Sequence, residues 1–341
     1  VAAPKGLNVK ALLSLSAGGP ETLVMSEVPE PVAGPGELLV AVKACAINYP
    51  DVLIIEDKYQ IKPERPFAPG TEIGGVVEAV GEGVTGYAIG DRVISVTGHG
   101  GLVEKIAIAA TSAYKLPKER SFEEGAAFML TYATSIHALV DRGRLKEGET
   151  LLVLGAAGGV GLAAVELGRA FGARVIAAVS SEEKAAAARK AGAHDAIIYG
   201  RGPFDKDQSK ALAEQFKAVI GKDGADVIYD AVGGDYCEPA LRSIAWEGRY
   251  LVIGFPAGIP RLPLNLTLLK SCDVCGVFWG AFAKRNPAAH DAHMTRLFRL
   301  WAAGEIAPVV SAVLPFEQGG EAIARMARRE AIGKLVVKVA D

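Results

Sequence analysis

The chain has 341 residues, half of them hydrophobic and 22% charged, with a formal net charge of −2 at pH 7. That composition supports a large core and about two domains, and it excludes a disordered chain. The near-neutral balance excludes a basic face for nucleic acid or a polybasic membrane anchor, and no apolar run approaches the ~20 residues that cross a bilayer.

Val1–Lys10 carries no apolar core of a secretory leader, so a cytoplasmic location is expected. Lys10–Leu15 and Thr22–Glu27 are short alternating runs separated by prolines and glycines. Strand patterns follow at Glu37–Ala46, Glu72–Gly81, Asp91–Val96 and Leu102–Ile108. Short strands with dense turn residues predict an all-β, barrel-like first domain. Ser121 with Glu124 forms a capping box that opens a helix. Leu130–Val140 then leads into a different pattern.

Leu151–Leu154 reads as a buried strand, followed by Gly155-Ala156-Ala157-Gly158-Gly159-Val160-Gly161 and a helix pattern, Leu162–Phe171, closed by Gly172. A strand, a glycine-rich turn and a helix begin a dinucleotide-binding βαβ unit. In this reading Gly155 makes the tight turn, Gly158 lets the backbone approach a pyrophosphate, and Gly161 lets helix and strand pack closely. The phosphates lie at the helix N-terminus, where unpaired N–H groups and the helix dipole favour negative charge. Ala173–Val179, Glu182–Ala191 and Asp195–Tyr199 continue as strand, helix, strand; Gln208–Ile220 is a helix, Ala225–Asp230 a strand and Tyr236–Ile244 a helix. Gly248–Gly254 and Asp273–Trp279 complete six strands. Six strands with helical crossovers predict a doubly wound parallel sheet. A helix at Asp291–Ala303 precedes strands at Pro308–Leu314 and Lys334–Val339. These return the chain to β structure, so the nucleotide domain reads as an insertion in the first.

Of the four cysteines, only Cys272 and Cys275 stand at metal or redox spacing. A structural zinc site needs four ligands, and without a second pair these read as free, largely buried thiols. His290 and His293 share one helix face with no carboxylate or thiol cluster beside them, and read as a solvated face.

The chain resembles the zinc-free quinone oxidoreductase, zeta-crystallin-like branch of the medium-chain dehydrogenase/reductase superfamily. The resemblance rests on Ala46-Ile47-Asn48-Tyr49-Pro50-Asp51, Gly70-Thr71-Glu72-Ile73-Gly74-Gly75-Val76-Val77, Val80-Gly81 with Gly90-Asp91-Arg92-Val93, the glycine turn, Asp226-Val227-Ile228-Tyr229-Asp230 and Gly333-Lys334-Leu335-Val336. These motifs cover nearly the whole chain in family order. They imply an α/β protein with a GroES-like β-barrel domain (1–132 and 284–341) and a six-stranded Rossmann domain (133–283) that binds NADPH. The active site is expected in the cleft between the two.

Zinc-dependent relatives place a ligand Cys where Asn48 stands and a ligand His where Thr71 stands. Neither Asn nor Thr is a usual zinc ligand, and a catalytic site needs three protein ligands, so no metal is expected. Without a Lewis acid, an electron-poor acceptor fits best, a quinone or an α,β-unsaturated carbonyl. The developing oxyanion then needs a hydrogen-bond donor or a proton. Tyr59, eleven residues past Asn48 as in the resembling reductases, is the first candidate, and Asn48 is a partner for the ribose or the substrate carbonyl. Asp51 reads as a brace for the loop.

NAD-specific folds carry an acidic residue at the end of the second strand. Here Ser180 and Ser181 stand there, with Lys184 a turn later, which favours NADPH over NADH. The resemblance assigns Lys184 and Tyr199 to the 2′-phosphate, Thr131 to the nicotinamide, and Gly254 and Phe255 to the line of the cofactor; Phe278 is expected on the last strand. Ser180 with Glu183 also forms a capping box. Three functions remain open: a quinone oxidoreductase, a reductase of activated C=C bonds including enoyl thioesters, and a non-catalytic NADPH-binding structural protein. The apolar strand Asp273–Trp279 marks the edge that resembling enzymes pair across a dimer axis, so a homodimer is expected.

Overall fold

A computed structural model describes residues 8–340. It divides into two units, one that ends at Leu130 and resumes at Pro308, the other Thr131–Ala307.

In the first unit, β1 (Asn8–Ser14) and β2 (Leu23–Pro29) form an antiparallel pair. A second sheet is built on β3 (Glu37–Ile47), with β4 (Glu72–Val80), β5 (Arg92–Val96), β6 (Lys105–Ala109) and β7 (Ala113–Lys115). The length of β3 lets it serve two partners on one side: its first half pairs with β6, and its last residues pair with a strand from the C-terminal return. Helix α1 (Tyr49–Ile55) follows β3 directly, and Ser121 caps α2 (Phe122–Ala126) with the expected reciprocal bonds to Glu124. Helix α1 was not legible as a helix: Asn48-Tyr49-Pro50 reads as a turn, but Pro is well accommodated in a first helical turn. The unit's core gathers Leu38, Val40, Ile54, Ile73, Val93 and Leu335, all at most 3% exposed.

Helix α3 (Met129–Ile136) leads into the second unit. Here β8 (Thr150–Leu154), α4 (Gly159–Ala170), β9 (Arg174–Val179), α5 (Glu182–Lys190), β10 (Asp195–Ile198), α6 (Lys206–Ile220), β11 (Ala225–Asp230), α7 (Cys237–Arg242), β12 (Ile244–Val252), α8 (Leu264–Lys270) and β13 (Asp273–Gly276) alternate, and of these only α8 has no counterpart in the sequence pattern. The six strands are parallel in the order β10-β9-β8-β11-β12-β13. This is the doubly wound Rossmann arrangement, with its switch point between β8 and β11.

Four expectations are corrected here. The last strand stops at Gly276, and Phe278 is the N-cap of a helix, α9 (Trp279–Arg285), rather than a strand residue. The N-cap of α5 is Ser181, whose Oγ accepts the Lys184 amide, rather than Ser180. His290 and His293 do not lie on a solvated face. On α10 (Pro287–Ala302), His290 packs edge-on against Trp279, while His293 stacks on Phe282 and reaches Asp141 at 3.4 Å. For the same reason residues 284–307 sit with the second unit, not the first: Arg296 lies 4.1 Å over the Phe171 ring, and the Ala307 amide donates to Glu166. All four cysteines are free thiols, with Cys272 half-buried and the other three buried.

The chain then returns to the first sheet with β14 (Val310–Pro315), α11 (Gly319–Ala327) and β15 (Lys334–Lys338). β15 pairs antiparallel with the end of β3, Leu335 opposite Ile47.

Candidate active site

In the second unit, strand register sets one edge of the sheet. Leu154 pairs with Ala178 and Asp230, and Asp230 with Val252. The glycine turn, Ser180, the loop after Asp230 and Gly254 therefore all leave the carboxyl edge of the sheet side by side, where ligands of open parallel sheets bind.

The turn itself separates its glycines by cause. Gly155 has φ +71°, a left-handed conformation that L side chains rarely adopt. A Cβ on Gly161 would lie 2.2 Å from the Gly155 oxygen, so the turn and α4 pack on each other only with glycine there. Gly158 is different. Its φ is −77° and an added Cβ would meet only the Gly155 oxygen, at 3.5 Å. Nothing within the chain demands glycine at this N-cap, whose open space adjoins the first amides of a twelve-residue helix. That combination fits an anion such as a pyrophosphate.

Past the end of β9, Lys184 Nζ donates to Ser180 Oγ at 3.3 Å, so hydroxyl and ammonium stand together. Tyr199 is buried and tilted against Tyr236, with ring centroids 4.7 Å apart. Thr131 is buried on α3, while Phe255 and Phe278 are exposed beyond β12 and β13. Asp230, which sequence reasoning passed over, accepts the amides of Val232 and Gly233 at 2.8 Å each and the Tyr250 hydroxyl at 2.7 Å. It shapes the loop next to the turn; burial pushes its carboxyl up, against those three donors.

In the first unit the sheet register builds a second cluster. Ala46 pairs with Glu72, and Ile47 with Leu335. The next residue, Asn48, is thereby set between Thr71–Glu72 and Lys334. Its Nδ2 donates to Thr71 Oγ1 at 2.9 Å, and its Oδ1 accepts from Lys334 Nζ at 2.5 Å. Lys334 also pairs with Glu72 at 3.0 Å, with side chains 3% and 0% exposed. Asp51 accepts the amides of Asn48 and Gly70 and the Thr71 hydroxyl. Burial pushes the Asp51 carboxyl up to about 6, opposed by the Asn48 and Gly70 amides and by the nearby Lys334 charge. Asp51 is thus the brace expected of it.

Tyr59 follows α1 and packs half-buried against the same core. Burial, then the negative charge of Asp51, raise its phenol above the usual tyrosine value, which keeps it a proton donor at neutral pH. Lys334 and Glu72 belong to the sequence motifs, but their pairing is not visible there. A lysine opening an otherwise apolar strand was the available signal. Among the described residues, no group of three or more His, Cys, Asp or Glu side chains is placed to hold a metal ion, and no helix is long and apolar enough to cross a membrane.

Known proteins share this architecture. Residues 34–118 match the family of alcohol dehydrogenase GroES-like domains, and residues 159–293 match the zinc-binding dehydrogenase family. A quinone oxidoreductase-like protein 2 homolog of Nematostella vectensis is 38% identical over 308 residues, 89% of this chain and 82% of its own. Human quinone oxidoreductase is 30% identical over 316 residues, 92% of each chain. The crystal structure of Escherichia coli quinone oxidoreductase complexed with NADPH superposes with a TM-score of 0.87 at 29% identity, covering 97% of this chain and 99% of that one.

Proposed function

The chain belongs to the quinone oxidoreductase branch of the medium-chain dehydrogenase/reductase superfamily of enzymes, and from that premise we propose that it is an NADPH-dependent reductase of quinones that works without a catalytic zinc ion. One observation carries the reading. Where zinc-dependent relatives have a thiolate and an imidazole, Asn48 and Thr71 are bonded to each other, and the carboxylate beside them is already neutralised by an ammonium. An amide and a hydroxyl so committed are poor metal ligands. A site of this kind suits an acceptor whose carbonyls need no Lewis acid.

The cradle at Gly155, Ala156, Gly158, Gly159, Val160 and Gly161 suits the cofactor's pyrophosphate. Ser180, Ser181, Lys184 and Tyr199 are assigned to the 2′-phosphate end, and Asn48, Thr131, Gly254, Phe255 and Phe278 to the nicotinamide half. When bound, NADPH supplies a hydride. The protonated Tyr59 phenol then donates to the oxygen on which charge develops, a contribution of roughly 10²–10⁴-fold for a well-placed acid. The E. coli relative's complex with NADPH supports the choice of cofactor. A homodimer formed through the β13 edge completes the proposal; exposed Leu264, Leu268 and Leu269 on α8 and Val274 on β13 support it.

The test is NADPH oxidation measured with benzoquinones, naphthoquinones, enones and crotonyl thioester, alongside metal analysis of the purified protein. Quinone turnover without stoichiometric zinc is expected, and Tyr59→Phe should lower kcat about 100-fold with little change in the KM for NADPH. Turnover of enones or thioesters alone would reassign the acceptor. Stoichiometric zinc required for activity would overturn the metal-free chemistry.

A further inference from the structure

Asn48 occupies the N-cap of α1, where a capping box joins it to Asp51. Its side-chain amide is also engaged on both ends, its oxygen by Lys334 and its nitrogen by Thr71. The Asn48 backbone is held from the other side by Asp51, at 2.8 Å.

Lys334 is 3% exposed. Burying an ammonium is costly unless it is paired, and an apolar pair of equal volume often serves stability as well. The Glu72 carboxylate that pairs with it also accepts the Leu130 amide at 2.7 Å, so it is anchored independently. The cation is therefore pinned between a fixed carboxylate and the Asn48 oxygen. From Asn48 the chain runs through α1, whose end is tied to the next segment by the Lys58 amide on the Leu53 carbonyl at 2.9 Å. Tyr59 is the next residue.

We propose that Lys334 is a positioning residue: a tethered internal cation that orients the Asn48 amide and, through the start of α1, sets the placement of Tyr59. The catalytic part of this inference rests on the quinone reductase reading; the positional part stands without it. Thr71 Oγ1, bonded to both Asn48 and Asp51, closes the same cluster, so loss of the cation frees the Asn48 oxygen and loosens the start of α1.

Lys334→Met alone leaves Glu72 as an unpaired buried charge and threatens folding. The decisive variant is therefore the neutral pair Lys334→Met/Glu72→Gln, which keeps volume and removes both charges. Two readouts apply. The first is nitration of Tyr59 by tetranitromethane, followed by peptide mass, with Tyr114 on β7 as the internal reference. The second is steady-state kinetics with NADPH and a benzoquinone. The expected result is a folded protein in which Tyr59 nitrates several-fold faster relative to Tyr114, kcat falls about tenfold or more, and the KM for NADPH holds. Unchanged relative nitration overturns the inference, and so does wild-type kcat in the double variant. A wild-type protein that reduces no acceptor would sink the functional reading alone, because the nitration comparison needs no turnover.

Discussion

A Cβ added to Gly161 would lie 2.2 Å from the Gly155 oxygen, whereas one added to Gly158 would approach nothing closer than 3.5 Å. The two glycines look alike in sequence and differ in what surrounds them. Gly161→Ala should lower thermal stability by about 1–3 kcal/mol, as overpacking against backbone does, and should lose NADPH affinity as well. Gly158→Ala should keep the wild-type Tm and lose only affinity, measured by fluorescence titration; a lowered Tm would show that the chain itself needs that glycine. Lys184 makes a comparable point for specificity. Its ammonium rests on Ser180 at 3.3 Å, with no acidic residue at the end of β9 itself. Lys184→Ala should raise the KM for NADPH about tenfold or more, the loss of one charge-assisted bond, and leave NADH use unchanged. An equal loss with both cofactors would remove the 2′-phosphate assignment.

Helix α1 shows how a buried acid couples an element to pH. Asp51 braces its start and titrates near 6 rather than at the ordinary 3.8. A raised carboxyl favours the protonated form in the folded state. Its contribution is thus fully present below about pH 4 and is lost as pH rises through about 6, a change of about 3 kcal/mol. Asp51→Asn breaks one amide bond at every pH but removes this titration. The Tm difference between variant and wild type should therefore shift in the variant's favour from pH 4.5 to 7.5; a constant difference would contradict it. Elements whose signal is local were legible: the glycine turn, the Ser121 cap and the alternating strands rest on neighbours within a few residues. Phe278 and Trp279 were misjudged because their apolar run continues that of β13, and periodicity alone does not tell a buried strand from the first turn of a helix. The histidines of α10 were misjudged because Trp279 and Phe282, which cover them, lie on another helix.

At the scale of the molecule, β13 ends the second unit's sheet, paired on one side with β12. Val274 on it and Leu264, Leu268 and Leu269 on α8 are 42%, 71%, 78% and 63% exposed. Open edges with apolar neighbours are normally covered. Sedimentation at micromolar concentration should give twice the chain mass, and Val274→Lys/Leu268→Lys should give a single chain; a wild-type protein of single mass would reject the dimer. The inserted Rossmann domain was readable because β and βα patterns alternate so differently. The pairing of Lys334 with Asn48 and Glu72 was not, because nothing local couples residues 286 and 262 positions apart.

That separation has a consequence for biosynthesis. Asn48 and Glu72 emerge from the ribosome long before β15 exists, while every strand of the inserted sheet is already available for folding. Until Lys334 arrives, the Glu72 carboxylate lacks its counter-ion and the end of β3 is paired on one side only, with β4, so the barrel is the last part to close. A nascent chain stalled before residue 334 should hold a protease-resistant middle and a protease-sensitive beginning, an order of maturation opposite to the order of translation.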